Sequence, residues 1–213
     1  MPTLITRWRK FWSKIDGRES QGDILFEDLI YRHAGPRRKY HTIEHPESML
    51  VEFDDFRAST GSRFVNTAVV EAGTWYHDAE YHPFARDHER KGAELFCSIG
   101  EYFGLSDDLV RRVFRAILAT KHANIANDLD AQVLCDLDLA IFGKPGTAFD
   151  EYERQIREEY IWVPEDRFRD ERRSILQGFV ARPSIYATSF FREKYERQAR
   201  ENLGRSIAKL SER

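Results

Sequence analysis

His77 and Asp78 are neighbours in the run WYHDAEY, which covers residues 75–81. The residues before them are apolar at helical spacing, so a helix would carry both ionisable groups into the interior of the protein. A charge in the interior needs a partner, such as a counter-ion or a metal ion. Such a dipeptide also arises by chance, and a core histidine that hydrogen-bonds to its neighbour is the more common outcome. Its meaning therefore depends on the polar residues elsewhere in the chain.

Three other places in the chain carry the same types of side chain. They are the histidine pair His41 and His45, the single His122, and the carboxylates Asp136 and Asp138. Each falls on a different predicted helix or helix end, so only a fold that brings them together gives them a common purpose. Residues two apart on a helix point in different directions, so only one of the two aspartates faces a shared site.

Imidazoles and carboxylates from these places would together form a mixed nitrogen and oxygen donor set. Such a set suits Mn, Fe, Zn, Ni or Co, with Mg at a more weakly held second position. A bound divalent ion lowers the pKa of its water from ~15.7 towards ~7 and polarises a phosphoryl oxygen. That chemistry makes hydroxide at neutral pH and needs no serine or cysteine nucleophile. The sequence has no P-loop, G-x-S-x-G, C-x-x-C or Rossmann glycine pattern that would indicate another chemistry.

Helical periodicity runs through the whole chain and strand-like alternation is nearly absent. No Gly/Ser-rich linker, repeat or low-complexity tract divides the 213 residues. The sequence therefore predicts a single all-α domain. Helices are predicted at about 4–15, 23–33, from Pro46 to a break at Gly61, and at 63–81, 87–103, 109–118, 132–142, 147–160, 165–181 and 186–210.

The composition argues against large charged partners. A formal charge of -3 and a pI near 6.2 provide no general attraction for nucleic acid or an anionic membrane. The basic, amphipathic residues 4–15 could lie on a membrane, but a first helix docked on the domain is preferred. No run approaches the ~18 apolar residues of a spanning helix. Cys97 and Cys135 are predicted to be free thiols, so we expect a soluble, cytoplasmic protein.

His45, the His77-Asp78 pair and a later aspartate in an apolar helix resemble the H…HD…D signature of the HD-domain superfamily of metal-dependent phosphohydrolases. Residues 40–45, YHTIEH, also resemble the YHNxxH motif of cyclic nucleotide phosphodiesterases. Further segments are similar to a bacterial group of predicted HD phosphohydrolases, over almost the whole chain. The resemblance implies one helical-bundle domain over residues 1–213, with a core at about 23–145 and a C-terminal helical extension at about 146–213. The further segments are RxYHTxxH, WYHDAEYxP, DxE, IREEY, RRSILxGFxxRxxIY and ExxARxNL.

The resemblance also implies a role for each site residue. The implied metal ligands are His45, His77, Asp78 and Asp138, with Asp136 as the fallback for Asp138. His41 takes the position that protonates the leaving oxygen in the phosphodiesterases. His122 resembles an extra ligand of two-metal members, or hydrogen-bonds the substrate at a single-metal site. Thr42, in place of Asn, and His88, in place of the Asn that usually follows Asp87, depart from the patterns.

Basic and acidic neighbours of these residues complete the predicted site. Arg38 and Lys39 precede His41, and Lys121 precedes His122, so all three are predicted to bind the phosphate. Glu80 and Glu89 are predicted to orient ligand imidazoles, or else to pair with Arg86 and Arg90. Asp78 would bridge two ions or orient the attacking water.

The sequence thus predicts a phosphohydrolase that uses one or two divalent ions and acts on a small phosphorylated molecule, either a nucleotide or another phosphoester. Two alternatives stay open: an HD-fold di-iron oxygenase, and a regulatory module that binds metal or nucleotide without turnover. No nucleic-acid or membrane partner is expected, and a homodimer is left open.

Overall fold

The computed structural model describes residues 3–16, 18–61, 64–84 and 87–212. Every regular element in these ranges is a helix, which confirms the all-α prediction. No helix in the same ranges is both long and apolar enough to cross a bilayer. The helices are α1 (Leu4–Ile15), α2 (Glu19–His33), α3 (Glu44–Thr60), α4 (Thr67–Tyr76), α5 (His88–Phe103), α6 (Asp107–Ala119), α7 (Leu129–Asp138) followed by a 3₁₀ helix (Leu139–Gly143), α8 (Gly146–Glu159), α9 (Glu165–Val180) and α10 (Ser189–Ser211).

Helix α4 lies at the centre of the fold. All residues from Val69 to Tyr76 are buried, and α1, α3, α5, α6 and α7 pack around them. A helix that is apolar on all sides is stable only when other elements cover it. The side chain of Asn66 caps its start by accepting the N–H groups of Ala68 and Val69. This buried helix carries the chain directly to His77 and Asp78.

Helix α1 docks on this core, as predicted. Trp8, Phe11 and Trp12 are fully buried or nearly so, and the Trp8 indole donates a hydrogen bond to the Gly22 carbonyl at 2.7 Å. On the polar face, Arg7 pairs with a carboxylate of α3. The apolar face of this basic helix is therefore covered by protein.

Three helix bounds near the site differ from the prediction. Helix α3 begins at Glu44, two residues before Pro46, because proline is tolerated throughout a first turn, where no N–H has a partner within the helix. Helix α4 ends at Tyr76, and the chain makes turns through residues 77–80. Arg38 donates to the carbonyls of Asp78 and Ala79 in this turn, and Pro83 has no N–H group with which a helix could continue past them. Helix α7 ends at Asp138 and tightens into the 3₁₀ helix.

The C-terminal helices pack on the same core. Asn202 of α10 is fully buried and donates to the carbonyls of Phe142 and Lys144, both at 2.8 Å. One apolar cluster extends from Trp8 to Leu203. The division into a core and an extension near residue 145 stays a prediction.

Candidate metal centre

Four side chains from three parts of the chain meet beside α4. His45 lies in the first turn of α3, His77 caps the end of α4 with Asp78 next to it, and Asp138 is the last residue of α7. The Nε2 atoms of His45 and His77 are 3.1 Å apart. The Oδ1 atom of Asp138 lies 3.2 Å from His45 Nε2 and 3.7 Å from His77 Nε2. Asp78 Oδ2 lies 3.1 Å from His77 Nε2 and 3.6 Å from His45 Nε2.

Three of these separations, at 3.1 or 3.2 Å, match a common metal ion, and the other two, at 3.6 and 3.7 Å, are a few tenths of an ångström longer. Two ligands bound at ~2.1 Å to one ion stand roughly 3.0 to 3.4 Å apart in octahedral or tetrahedral geometry. The Nδ1 atom of His77 lies 3.1 Å from the Thr74 carbonyl, which can only accept a hydrogen bond. Neutral His77 therefore carries its proton on Nδ1 and presents the Nε2 lone pair to the cluster. His45, His77 and Asp138 form a group that could hold a metal ion.

Burial makes the charges of this cluster interdependent. His45 and His77 are almost fully buried. Burial lowers the pKa of His45, whereas the adjacent Asp78 carboxylate overcomes burial and raises the pKa of His77 to about 9. Although burial opposes both shifts, His77 holds the pKa of Asp78 well below its ordinary value, and the hydrogen bonds from His122 and His45 do the same for the pKa of Asp138. Both carboxylates are therefore ionised at neutral pH, as metal ligands must be.

His122 reaches the cluster through Asp138. Its Nε2 atom lies 2.7 Å from Asp138 Oδ2. Its φ is +54°, a left-handed conformation that is uncommon for residues other than glycine. The guanidinium of Arg182 donates to the His122 carbonyl, and Phe179 packs against the ring. The surrounding side chains thus hold His122 in a strained conformation that aims it at the site.

His41 is held beside the cluster by Glu159, a residue that the sequence reasoning missed. The Nδ1 atom of His41 lies 2.6 Å from Glu159 Oε2, and its Nε2 lies 3.9 Å from Asp78 Oδ2. Glu159 Oε1 accepts the backbone N–H groups of Lys39, Tyr40 and His41 at 2.7 to 3.0 Å. These contacts stabilise the loop before α3 as well as the imidazole.

The electrostatic consequence is a tightly coupled pair. The carboxylates of Asp78 and Glu159 raise the pKa of His41, and His41 in turn lowers the pKa of Glu159 to about 2. Burial opposes both changes, and the contacts between the charges outweigh it. The only sequence signal for Glu159 was its place in the IREEY segment. The resemblance that includes this segment implies no role for this glutamate.

Asp136, the fallback ligand, faces away from the cluster. Its carboxylate accepts the N–H groups of Ala187 and Thr188 and the Thr188 hydroxyl, all at 2.7 or 2.8 Å. Thr188 is the residue that precedes α10, so the hydrogen bonds of Asp136 connect α7 to the start of α10. The expectation that only one of the two aspartates faces the site is confirmed, and Asp138 is the one.

The predicted basic side chains lie around the site and not in its centre. Arg38 is buried and donates to the carbonyls of His41, Asp78 and Ala79. Its guanidinium therefore stabilises the turn that carries Asp78. Lys39 is exposed, and Lys121 lies 4.0 Å from Glu89. Their contact with substrate stays a prediction.

The two glutamates differ from the orienting role predicted for them. Glu80 pairs with Arg32 of α2, and Arg86 lies outside the described residues. Arg90 pairs with Glu94 and not with Glu89. The contact that orients His77 comes from a backbone carbonyl of α4, because the helix end already supplies an acceptor at the right place.

A cavity of about 530 Å³ opens next to the cluster. Its wall includes His41, His77, Asp78, His122 and Asp138, so all five point to one space. The opposite wall comes from α8, α9 and the segment between them. A small molecule could therefore reach the carboxylates and the His41 side chain together.

The fold and the site define an all-α protein with a His/His/Asp group, its histidines buried, that could bind a metal ion. No protein-family model, curated protein or solved structure matches the chain. The arrangement is compatible with an HD domain.

Proposed function

We propose that this protein is a metal-dependent phosphohydrolase of the HD-domain superfamily. The observation that carries the proposal is the convergence of His45, His77, Asp78 and Asp138 beside a cavity that His41 also lines. Their order along the chain follows the H…HD…D pattern. A small phosphorylated molecule is the substrate.

The residues divide the chemistry between binding and proton transfer. His45, His77 and Asp138 would hold the ion, with Asp78 completing the donor set. The bound ion would polarise the phosphoryl group and lower the pKa of water. Asp78 Oδ2, which lies 3.1 Å from His77 Nε2 and 3.9 Å from His41 Nε2, orients the attacking water.

His41 is the general acid. Its Nδ1–H is held on Glu159, so only Nε2 is available to the cavity. The carboxylates of Asp78 and Glu159 raise the pKa of His41 and so favour the form in which this nitrogen carries a proton. As the bond between phosphorus and the ester oxygen breaks, Nε2–H donates its proton to the leaving oxygen.

Elemental analysis and a substrate panel test the proposal. Protein purified without added metal is analysed for bound metal, then assayed against phosphomonoesters and phosphodiesters with Mn, Mg, Co and Ni. We expect His77→Ala and Asp138→Ala to lose metal and hydrolysis together. His82→Ala is the matched control, because it removes an exposed imidazole near the site.

Turnover by a variant that holds no metal would refute the proposal. Bound iron with oxygen consumption and no phosphate release would select the oxygenase alternative. Tight retention of a ligand without any product would select the regulatory module.

A further inference from the structure

The cavity beside the cluster is lined mainly by apolar surface. Nine of the described side chains in its wall are aromatic and five are aliphatic. The aromatic hydroxyl groups are largely engaged with protein. Tyr81 donates to Glu159 at 2.9 Å and lies 3.2 Å from the Tyr160 hydroxyl, and Tyr152 accepts from Arg172 at 2.8 Å. These tyrosine hydroxyl groups are therefore largely used within the protein.

Each arginine among the described residues of the wall pairs with a glutamate, Arg172 inside the protein and Arg167 at the exposed rim. Arg172 is buried and pairs with Glu153, and Arg167 pairs with Glu171 at 2.8 Å. Glu171 and Glu89 themselves line the cavity. A second or third phosphate group would thus meet ring faces and carboxylates, and a buried charge without a partner is costly.

Two exposed aromatic side chains stand at the opening. The rings of Phe84 and Trp162 are 4.5 Å apart between centroids, and both side chains are about half exposed. The guanidinium of Arg37 lies 4.6 Å from the Phe84 ring centroid. Ile175 adds a further exposed apolar surface to the same wall. Exposed apolar side chains that share a pocket wall mark a ligand surface.

We infer that the ligand of this cavity is a phosphate monoester with a single phosphate on a large apolar group, and that polyphosphates are disfavoured. This inference rests on the proposed function for the position of the phosphate, which lies at the cluster. The apolar group lies between Trp162, Ile175 and the inner aromatic wall. The volume of about 530 Å³ holds a ring system larger than a phosphate alone.

A series of primary alkyl phosphates tests the inference, because the leaving group is chemically the same throughout. The esters are ethyl, hexyl and 2-cyclohexylethyl phosphate, compared with AMP and ATP. Each buried methylene contributes roughly fourfold, so kcat/KM should rise at least about 100-fold from ethyl to 2-cyclohexylethyl phosphate. AMP and ATP should fall below the cyclohexyl ester. A flat alkyl series, or a preference for AMP or ATP, would overturn the inference while leaving the hydrolase proposal intact.

Substitutions at the opening supply the matched comparison. Trp162→Ala should reduce the ratio of kcat/KM for the cyclohexyl and ethyl esters at least tenfold. Ile161→Ala removes a neighbouring side chain that is 71% exposed and should leave the ratio unchanged. Equal ratios in the two variants would contradict the assigned wall.

A binding measurement separates this inference from the proposed reaction. The probe is 3-cyclohexylpropylphosphonate, which carries a methylene in place of the ester oxygen and cannot be hydrolysed. Trp8, Trp12 and Trp75 are buried, so a fluorescence change that is lost in Trp162→Ala reports binding at the opening. Binding of the phosphonate without turnover of any ester would support the ligand class and refute the hydrolase. Turnover of ATP without binding of the phosphonate would refute the ligand class and support the hydrolase.

Discussion

The contact between Glu159 and His41 yields the sharpest prediction, which is the effect of Glu159→Gln. The carboxylate is almost fully buried and accepts three backbone N–H groups, the His41 Nδ1–H and the Tyr81 hydroxyl. Glutamine keeps one carbonyl oxygen for the backbone. It replaces the other oxygen by an amide group, which cannot accept the proton of His41.

The structure sets the size of the effect. The pKa of Glu159 falls from 4.5 to about 2 in the folded protein. This difference corresponds to a contribution of about 3 kcal/mol to the free energy of unfolding when Glu159 is ionised. A loss of that size lowers the melting temperature of a protein of this length by roughly 6 to 12 °C. The stabilisation is fully present above pH 4.5 and is lost as the pH falls towards 2. The variant and the wild type should therefore converge in stability at low pH.

The same substitution should change the pH dependence of hydrolysis. His41 acts as an acid only while protonated, so activity falls as the pH rises through its pKa. Removal of the Glu159 charge lowers that pKa, and the alkaline limb of the kcat profile should move to lower pH.

Thermal melts from pH 2 to 8 and a kcat profile measure the two effects. Glu158→Gln is the control, because its carboxylate is partly exposed and pairs with Arg154 on the surface. A Glu159→Gln variant with wild-type stability and an unshifted profile would refute the reasoning.

Three further predictions concern the scaffold. Burial lowers the pKa of His33 to about 4, so the protein loses stability as the pH falls from 6.5 to 4. His33→Met should recover at most about 3 kcal/mol of this loss in urea melts. The same dependence of unfolding free energy on pH in the variant and the wild type would contradict this. A Cβ at Gly92 would collide with a carbonyl oxygen at the end of α4, so Gly92→Ala should lower stability by about 3 kcal/mol or more. Gly178 has open space around it, so Gly178→Ala should raise stability by about 1 kcal/mol. Equal melting temperatures for the two variants would refute the packing argument. Asp136→Asn should lower the free energy of chemical unfolding by about 1 to 3 kcal/mol. The variant should still bind metal like the wild type. A loss of metal equal to that of Asp138→Ala would show that both aspartates are ligands.

The sequence alone determined the fold class and much of the helix pattern. Apolar residues that recur at helical spacing, with caps such as Ser106 and the closing Gly104, are local signals that survive in the folded protein. The resemblance to the H…HD…D signature, and not helical periodicity, made His45, His77, Asp78 and Asp138 the candidate ligands. It could do so because their types and order carry a recognisable pattern.

Tertiary structure decided the contacts between distant parts of the chain. Glu159 holds His41 across 118 residues, and Arg38 stabilises the turn of Asp78 across 40. The choice of Asp138 over Asp136 depends on where α7 ends and on the N–H groups that precede α10. Helix propensity is set by neighbours in sequence, whereas the partner of a buried charge is set by which helices pack together. The pattern of the chain therefore predicted the helices and the donor set, and only their packing decided how each side chain is used.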